Sequence, residues 1–414
     1  MRIGLAIIIL VAAPYCARAV TLDLVTIGDP LNSGDITAAG IFGRVTTAYQ
    51  IGRTEVTNAQ YVEFLNATAA TDPYSLYNPS MGTFNDGGIV RTGASGEFAY
   101  SIKPTAVVER EDGSFFDYTY ADKPVNYVTW YDAARLANWM NNGQGAASTE
   151  TGAYTLLGGT PVPTNADDIT RNAGATWFLP SENQWYKAAY YDPATASYFD
   201  YPTGSNSAPN NNLPSADAGN SANFLVGTTT TTGDPSVPLT DAGAYTLSES
   251  PYGTLDQGGN VGEWNEAKVS AGKRGRRGGA WNTTELSLSA ETRDSMSAGL
   301  DNSSTGFRLA RLVPAAGVAG DYNGNGTVDA ADYVVWRNNL GASFQLQNEV
   351  AGTTPGTVTQ DDYDAWRARF GNTSGTGTGE LSGTSVPEAS TAVLAALAGM
   401  LVAFRRRSNR RIVT

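Results

Sequence analysis

The 414-residue chain contains no histidine and a single cysteine, Cys16. Those two shortages remove Ser-His-Asp and Cys-His catalysis, histidine-ligated zinc or iron, and four-cysteine metal clusters. A disulfide framework is impossible with one thiol. Basic residues are also scarce: 27 Lys and Arg stand against 40 Asp and Glu, a formal charge of −13. Nucleic acid is therefore not an expected partner, because phosphate binding needs an excess of Lys and Arg. What is present in quantity is carboxylate, amide, hydroxyl, backbone oxygen and aromatic ring, which suit calcium and sugars better than transition metals. A hydrophobic content of 41% allows a sizeable core, and 46 glycines indicate a loop-heavy fold.

The two ends read as processing segments. Residues 1–19 have the order of a secretory signal: Arg2, an apolar run from Leu5 to Ala13, then Ala17-Arg18-Ala19 as a small-x-small cleavage site. Cys16 falls inside this segment, so the exported chain is expected to carry no thiol. At the other end, residues 386–414 run from Val386-Pro387-Glu388 through an apolar stretch, Thr391 to Phe404, to Arg405, Arg406, Arg407, Arg410 and Arg411. That is the order of a short stop-transfer anchor with a cytoplasmic basic end. It resembles the PEP-CTERM sorting signal of bacterial exported proteins, with Ala389 replacing the usual second proline. The resemblance implies an exosortase as partner, transient membrane anchoring, removal of the tail, and delivery to the cell surface or extracellular matrix. A simple tail anchor is the other reading of the same residues. Residues 372–385 form a Gly/Ser/Thr linker, flexible by composition.

Upstream of the linker, residues 319–371 contain an internal duplication. Asp321, Asn323, Asn325, the Thr327 carbonyl, Asp329 and Asp332 fall at positions 1, 3, 5, 7, 9 and 12 of a loop with Gly326 at position 6. This is EF-hand spacing with Asp as the last ligand, and it predicts calcium. Thirty residues on, Gly356-Thr357-Val358, Asp362-Tyr363, Trp366-Arg367 and Gly371 repeat Gly326-Thr327-Val328, Asp332-Tyr333, Trp336-Arg337 and Gly341. The pair resembles the dockerin type I module, which implies a small α-helical, EF-hand-like fold and a cohesin-like partner. The second loop has Ala351, Thr353 and Pro355 at ligand positions, so calcium is expected in the first loop alone. A turn without an ion remains the alternative.

Residues 20–313 form the main body. Thr57-Asn-Ala-Gln60 and Ser181-Glu-Asn-Gln184 are capping boxes that predict helices, the first with Tyr61, Phe64 and Leu65 on one face. A third helix is expected to open at Asp132, with Leu136, Ala137 and Met140 at helical spacing, and a short strand is expected from Gly306 to Ala310. Trp130, Trp185, Trp264 and Trp281 are expected in the core.

Six motifs follow one another: Ile51-Gly-Arg-Thr-Glu55-Val-Thr57-Asn58, Pro124-Val-Asn-Tyr-Val-Thr-Trp130-Tyr-Asp132, Trp177-Phe-Leu-Pro180-Ser-Glu182-Asn-Gln-Trp185, Tyr252-Gly-Thr-Leu-Asp256-Gln-Gly-Gly259-Asn260-Val-Gly-Glu263-Trp264, Arg277-Gly-Gly-Ala-Trp281 and Gly306-Phe-Arg308. In that order they resemble the formylglycine-generating (sulfatase-modifying) enzyme family. The resemblance implies an α+β fold related to C-type lectins, with little regular secondary structure. It also implies oxidation of a substrate cysteine to formylglycine through two enzyme cysteines that hold copper(I). The corresponding positions here are Thr283 and Leu288, and Ala280 replaces the active-site serine. Neither a hydroxyl nor an isobutyl group can replace a thiolate, and the iron route of related sulfoxide synthases needs histidine; no copper or iron is expected.

Calcium is what the resemblance carries over. One site would use the Asp256 and Glu263 side chains with the Gly259 and Val261 carbonyls, and a second would use Asn223, the Phe224 carbonyl, Asp234 and the Ser236 carbonyl. Glu263 could equally be a buried carboxylate bonded to backbone N–H groups, and Arg308 and Glu55 could form a structural ion pair. The resulting expectation is an exported, calcium-stabilised surface or matrix protein on an enzyme fold without its catalysis, binding a glycan or peptide. The alternatives are a divergent oxidase or hydrolase, and a dockerin-tethered component of an extracellular assembly.

Overall fold

A computed structural model describes residues 19–109, 113–313, 318–323, 326–343, 346–350, 353 and 356–373. Residues 1–18 of the expected signal, the whole of 386–414, position 5 of the first loop, Asn325, and Ala351 and Pro355 of the second lie outside the described residues. Among those that are described, no helix is long and apolar enough to cross a membrane. The chain divides into two compact units, residues 1–313 and 314–414.

Three capping boxes start the principal helices of the larger unit. Thr57 Oγ1 accepts from Gln60 N and the Gln60 side chain accepts from Thr57 N, opening helix Asn58–Thr68. Ser181 and Gln184 do the same for helix Glu182–Tyr190. The third helix, Trp130–Asn141, begins two residues before the expected Asp132. Its N-cap is Thr129, and Asp132 at the third position reaches back to Thr129 N at 2.9 Å and Thr129 Oγ1 at 2.7 Å. Capping by a reciprocal acid explains why Asp132 marks the start without being the first residue.

Strands are short and belong to two four-stranded sheets plus several two-stranded ribbons. The first sheet is antiparallel, in the order Leu24–Ile27, Tyr49–Gly52, Ala310–Leu312, Trp177–Phe178. The second runs Asp294–Ser297, Lys273–Arg277, Gly262–Ser270, Thr305–Gly306, its last pair parallel. The expected strand 306–310 is thus split. Thr305–Gly306 pairs in the second sheet and Ala310–Leu312 in the first, while Phe307, Arg308 and Leu309 cross between them fully buried. The core gathers Ile51, Tyr61, Phe64, Trp130, Trp139, Phe178 and Trp264 around the first and third helices. Trp185 is also fully buried, whereas Trp281 is half-buried.

The smaller unit shows the duplication as geometry. Helices Ala330–Asn339 and Gln360–Arg367 are opened by boxes in which Asp332 returns to Asp329 and Asp362 to Thr359. Trp336 Nε1 donates to Thr359 O at 2.7 Å and Trp366 Nε1 to Asp329 O at 2.9 Å, so each repeat's indole ties down the other's N-cap. Tyr322, Val328, Leu346 and Val358 complete the cluster around the two indoles.

Burial pushes Asp132 up to about 7, against the Thr129 hydrogen bonds that lower it. A raised carboxylate binds its proton more tightly folded than unfolded, so its contribution is present at low pH. That contribution falls by up to about 1.4 kcal/mol per pH unit as pH rises from about 4 to about 7. Asp132→Asn, which keeps the acceptor for Thr129 N, should flatten that fall in thermal melts. An unchanged pH slope would refute the assignment.

Candidate functional site

At the meeting point of the two sheets lies a buried charge cluster. Arg308 Nε and Nη2 donate to Glu263 Oε2 and Oε1, each at 2.6 Å. Trp185 Nε1 adds a third bond to Glu263 Oε2 at 2.7 Å. The remaining guanidinium hydrogens go to the carbonyls of Gly52, Arg53 and Leu255. Both side chains are essentially inaccessible, 0% and 1% exposed. The structural pair is therefore Arg308 with Glu263, not Arg308 with Glu55. Glu263 is held by a guanidinium and an indole rather than by backbone N–H groups. Its oxygens are committed to these donors, which does not fit a calcium ligand: a cation there would have to displace a bidentate charged partner.

Two further carboxylates crowd the same guanidinium. Glu55 is 1% exposed; its Oε1 accepts from Asn260 Nδ2 at 3.3 Å, and its Oε2 is buried without a partner. Burial, then the neighbouring Asp256 charge, hold Glu55 well above the usual carboxylate range. Asp256 has a left-handed backbone, φ 57°, and accepts from Gly243 N at 2.5 Å. Burial pushes it up to about 6, although the Gly243 bond and Arg308 oppose this. Of the two expected carboxylate ligands, Glu263 is thus paired with Arg308 and Asp256 is engaged by the Gly243 N–H.

The loop 256–263 is fixed from the other side by Asn223. Asn260 N donates to Asn223 O at 2.7 Å, Asn223 Nδ2 donates to Asn260 Oδ1 at 3.1 Å, and Gly259 N donates to Gly278 O at 2.8 Å. Gly259 has φ 83°, and a Cβ there would come 2.1 Å from the Asn223 carbonyl oxygen, so only glycine permits the approach. Val261, beside Asn260, is fully buried. Asn223 Oδ1 is buried and has no hydrogen-bond partner among the described residues. Among the described residues the Phe224 carbonyl receives only the Thr231 hydroxyl, at 3.5 Å, and half-buried Asp234 uses Oδ1 to accept from Ser236 N at 2.8 Å. An orphaned amide oxygen beside an under-used carbonyl is a donor set that fits a hard cation.

The three degenerate oxidase positions are all accounted for. Ala280 is buried, and its N and O both bond Thr283 Oγ1, at 2.9 and 3.0 Å. Leu288 is fully buried against Ala222 and Phe224. A hydroxyl closing its own turn and an isobutyl group in an apolar cluster offer copper(I) no soft ligand, so the residues present do not fit that metal. Alongside them opens a cavity of about 310 Å³, lined by Arg276, Arg277, Gly279, Thr283, Ser287, Thr292, Arg293 and Asp294. Sequence reasoning missed this cavity; its signal was the Lys273-Arg-Gly-Arg-Arg277 run in an acidic chain.

In the smaller unit, Asp321 and Asp332 are buried and Asp329 caps its helix. Asp321 Oδ2 accepts from Gly326 N and Asp332 Oδ1 from Asn323 N, at 2.8 and 2.9 Å. Burial, and then the Asp321 and Asp329 charges, raise Asp332. Thr327 forms a bridge to Thr373. Among the described residues no three His, Cys, Asp or Glu side chains converge as a metal cage.

Short mixed sheets, few helices and this loop-built site define an α+β protein of the sulfatase-modifying type. Residues 42–313 match the sulfatase-modifying factor enzyme 1-like domain family, and the chain belongs to that family. Solved structures with a similar fold include Treponema denticola variable protein 1, at 19% identity and TM-score 0.46, covering 72% of this chain and 98% of that one. CarF matches at 20% identity and TM-score 0.40, covering 71% and 99%. PvdO from Pseudomonas aeruginosa matches at 16% and 0.36, covering 70% and 95%. No curated protein matches the chain.

Breaking the central pair should be costly, because it leaves a guanidinium buried without its anion. Glu263→Gln is expected to lose about 3–5 kcal/mol in chemical denaturation. The double variant Glu263→Gln/Arg308→Met should lose less than either single change. A loss below about 1 kcal/mol for Glu263→Gln would contradict the reading of this pair as the central tie.

Proposed function

We propose that this chain is an exported, calcium-stabilised binding protein that uses the sulfatase-modifying fold without its oxidase chemistry. The observation that carries the reading is the fate of the two thiolate positions: Thr283 closes a turn on Ala280 and Leu288 packs against Phe224. Formylglycine formation removes electrons from a substrate thiol, and the family's route passes them through thiolate-bound copper. Neither Thr283 nor Leu288 can hold that metal or share in that transfer.

Calcium in the larger unit is assigned to Asn223, the Phe224 carbonyl and Asp234, on the orphaned Asn223 amide oxygen. Bound there, the ion would supply fixed positive charge to a loop segment with almost no sheet of its own. In the smaller unit, Asp321, Asn323, the Thr327 carbonyl, Asp329 and Asp332 are the proposed ligands, supported by their EF-hand spacing and by the burial of Asp321 and Asp332. Export rests on the order of residues 1–19 and 386–414 in the sequence, and a dockerin-like role for residues 319–371 on the duplicated loop and its reciprocal Trp contacts.

Melting in calcium should exceed melting in chelator by roughly 5–10 °C, since saturating ligand contributes about 2.7 kcal/mol at a hundredfold excess over Kd. Asp234→Ala should abolish the shift of the larger unit and Asp321→Ala that of the smaller. Equal melting with and without chelator would overturn the calcium assignment. Incubation with copper(I) and a cysteine-containing sulfatase peptide should leave the thiol at its no-protein level. Formylglycine above that level would restore the oxidase reading.

A further inference from the structure

The cavity beside the former oxidase position has a charge composition at odds with the rest of the molecule. Three guanidiniums, Arg276, Arg277 and Arg293, line it in a chain of net charge −13. Two carboxylates serve them. Asp294 pairs with Arg276, while Glu182 alone is shared by Arg277 and Arg293. One unit of positive charge is therefore left without a fixed partner.

The way the guanidiniums are held points the same way. Arg276 is anchored by Asp294 Oδ2 and by Thr305 Oγ1 at 2.7 Å, and Arg277 by Glu182 and the Thr292 carbonyl at 2.9 Å. Arg277 Nη2 is buried and makes no hydrogen bond, although it lies 2.9 Å from Glu182 Oε1. Arg293 binds Glu182 through Nε and Nη2, which leaves its Nη1 without a partner among the described residues. Its side chain is 30% exposed, and Arg277 is 1% exposed. The Ser287 hydroxyl, also on the lining, likewise has no hydrogen bond among the described residues, while Thr283 and Thr292 spend theirs on backbone carbonyls. The site thus combines immobilised positive charge, one free guanidinium edge and one free hydroxyl, in a space of about 310 Å³.

We propose that this cavity binds a compact oxyanion, a sulfate or carboxylate group carried by an extracellular ligand, with Arg293 and Ser287 as its direct contacts. Arg276 and Arg277 are positioning residues that hold the field in place. Guanidinium suits this task because its planar donors match paired oxygens and its charge does not titrate away. A cavity of this size accepts the charged group and the sugar-sized unit that bears it, but not an extended polyanion such as nucleic acid. This proposal deepens the binding-protein reading and rests on it.

The test uses the full exported chain and titration calorimetry with methyl sulfate and, separately, glucuronate, at matched ionic strength against chloride. At least one of them should bind saturably, and whichever binds more tightly identifies the charged group. Arg293→Gln should weaken that binding by about tenfold or more, the usual cost of losing one charge-assisted hydrogen bond. Ser287→Asp, which places a carboxylate in the cavity, should abolish binding and raise the melting temperature by answering the spare charge. Lys268→Gln, on a separate cavity with Arg171 and Glu266, should leave binding unchanged. No saturable binding by the parent protein, or binding unaltered in both Arg293→Gln and Ser287→Asp, would overturn the proposal. Calcium-dependent melting is read in the same samples: if it persists while anion binding is absent, this inference alone has failed.

Discussion

The single guanidinium of Arg308 is the constraint on which the larger unit depends. It sits in the three-residue crossing between the two sheets and donates to a strand end at Gly52, a loop at Leu255, and Glu263 in the opposite sheet. Trp185, from helix Glu182–Tyr190, closes the network on the same carboxylate. In a fold whose strands are two to nine residues long, ladder hydrogen bonds alone give little cooperative order. A side chain with five fixed donors substitutes for them by joining elements that share no ladder. An apolar replacement could be as stable, but it would not fix the angle at which these elements meet.

Amides do on a smaller scale what Arg308 does at the centre. Asn58 donates to the Tyr120 carbonyl, Asn138 bridges Thr149 O and Tyr154 N, and Asn172 donates to Gly152 O. Asn260 joins Asn223, Thr240 and Glu55. Each satisfies backbone groups that would sit in a ladder in a more regular protein, as buried polar groups must be satisfied somewhere. The chain's richness in asparagine and shortage of formal charge are thus consequences of a loop-built interior. Neutral amides can be buried at modest cost where ions cannot.

This division explains what could be read from the sequence. Helix starts were legible because a capping box is local: four residues contain both halves of the interaction, as at Thr57, Ser181 and, with a two-residue offset, Asp132. The duplication in the smaller unit was legible because it repeats every 30 residues, and its reciprocal Trp336 and Trp366 bonds are what that repetition becomes in space. The strands were not legible. Segments such as Trp177–Phe178 are too short for period-two alternation, and residues 306–310 read as one strand although their two ends pair in different sheets and Phe307-Arg308-Leu309 lies in neither strand. The partner of Glu263 lay 45 residues away, beyond any spacing rule. Glu55 stood out because its motif is conspicuous, but its Oε2 ends buried with no hydrogen-bond partner among the described residues.

The electrostatics of the former oxidase position follow from the same economy. Thr283 and Leu288 offer no soft metal ligand, and the neighbouring strand Lys273–Arg277 carries basic side chains. Two of them are locked by carboxylates and carbonyls, so they cannot collapse onto one another or swing out to solvent. A surface charge of opposite sign elsewhere does not cancel this local field, because screening in salt limits its reach to about 10 Å. An acidic exterior instead sharpens selectivity: it repels bulk polyanions while the enclosed guanidiniums still attract a small oxyanion that can enter. A loop-built fold that holds guanidiniums rigidly around one small volume has the parts to align a charged group for recognition.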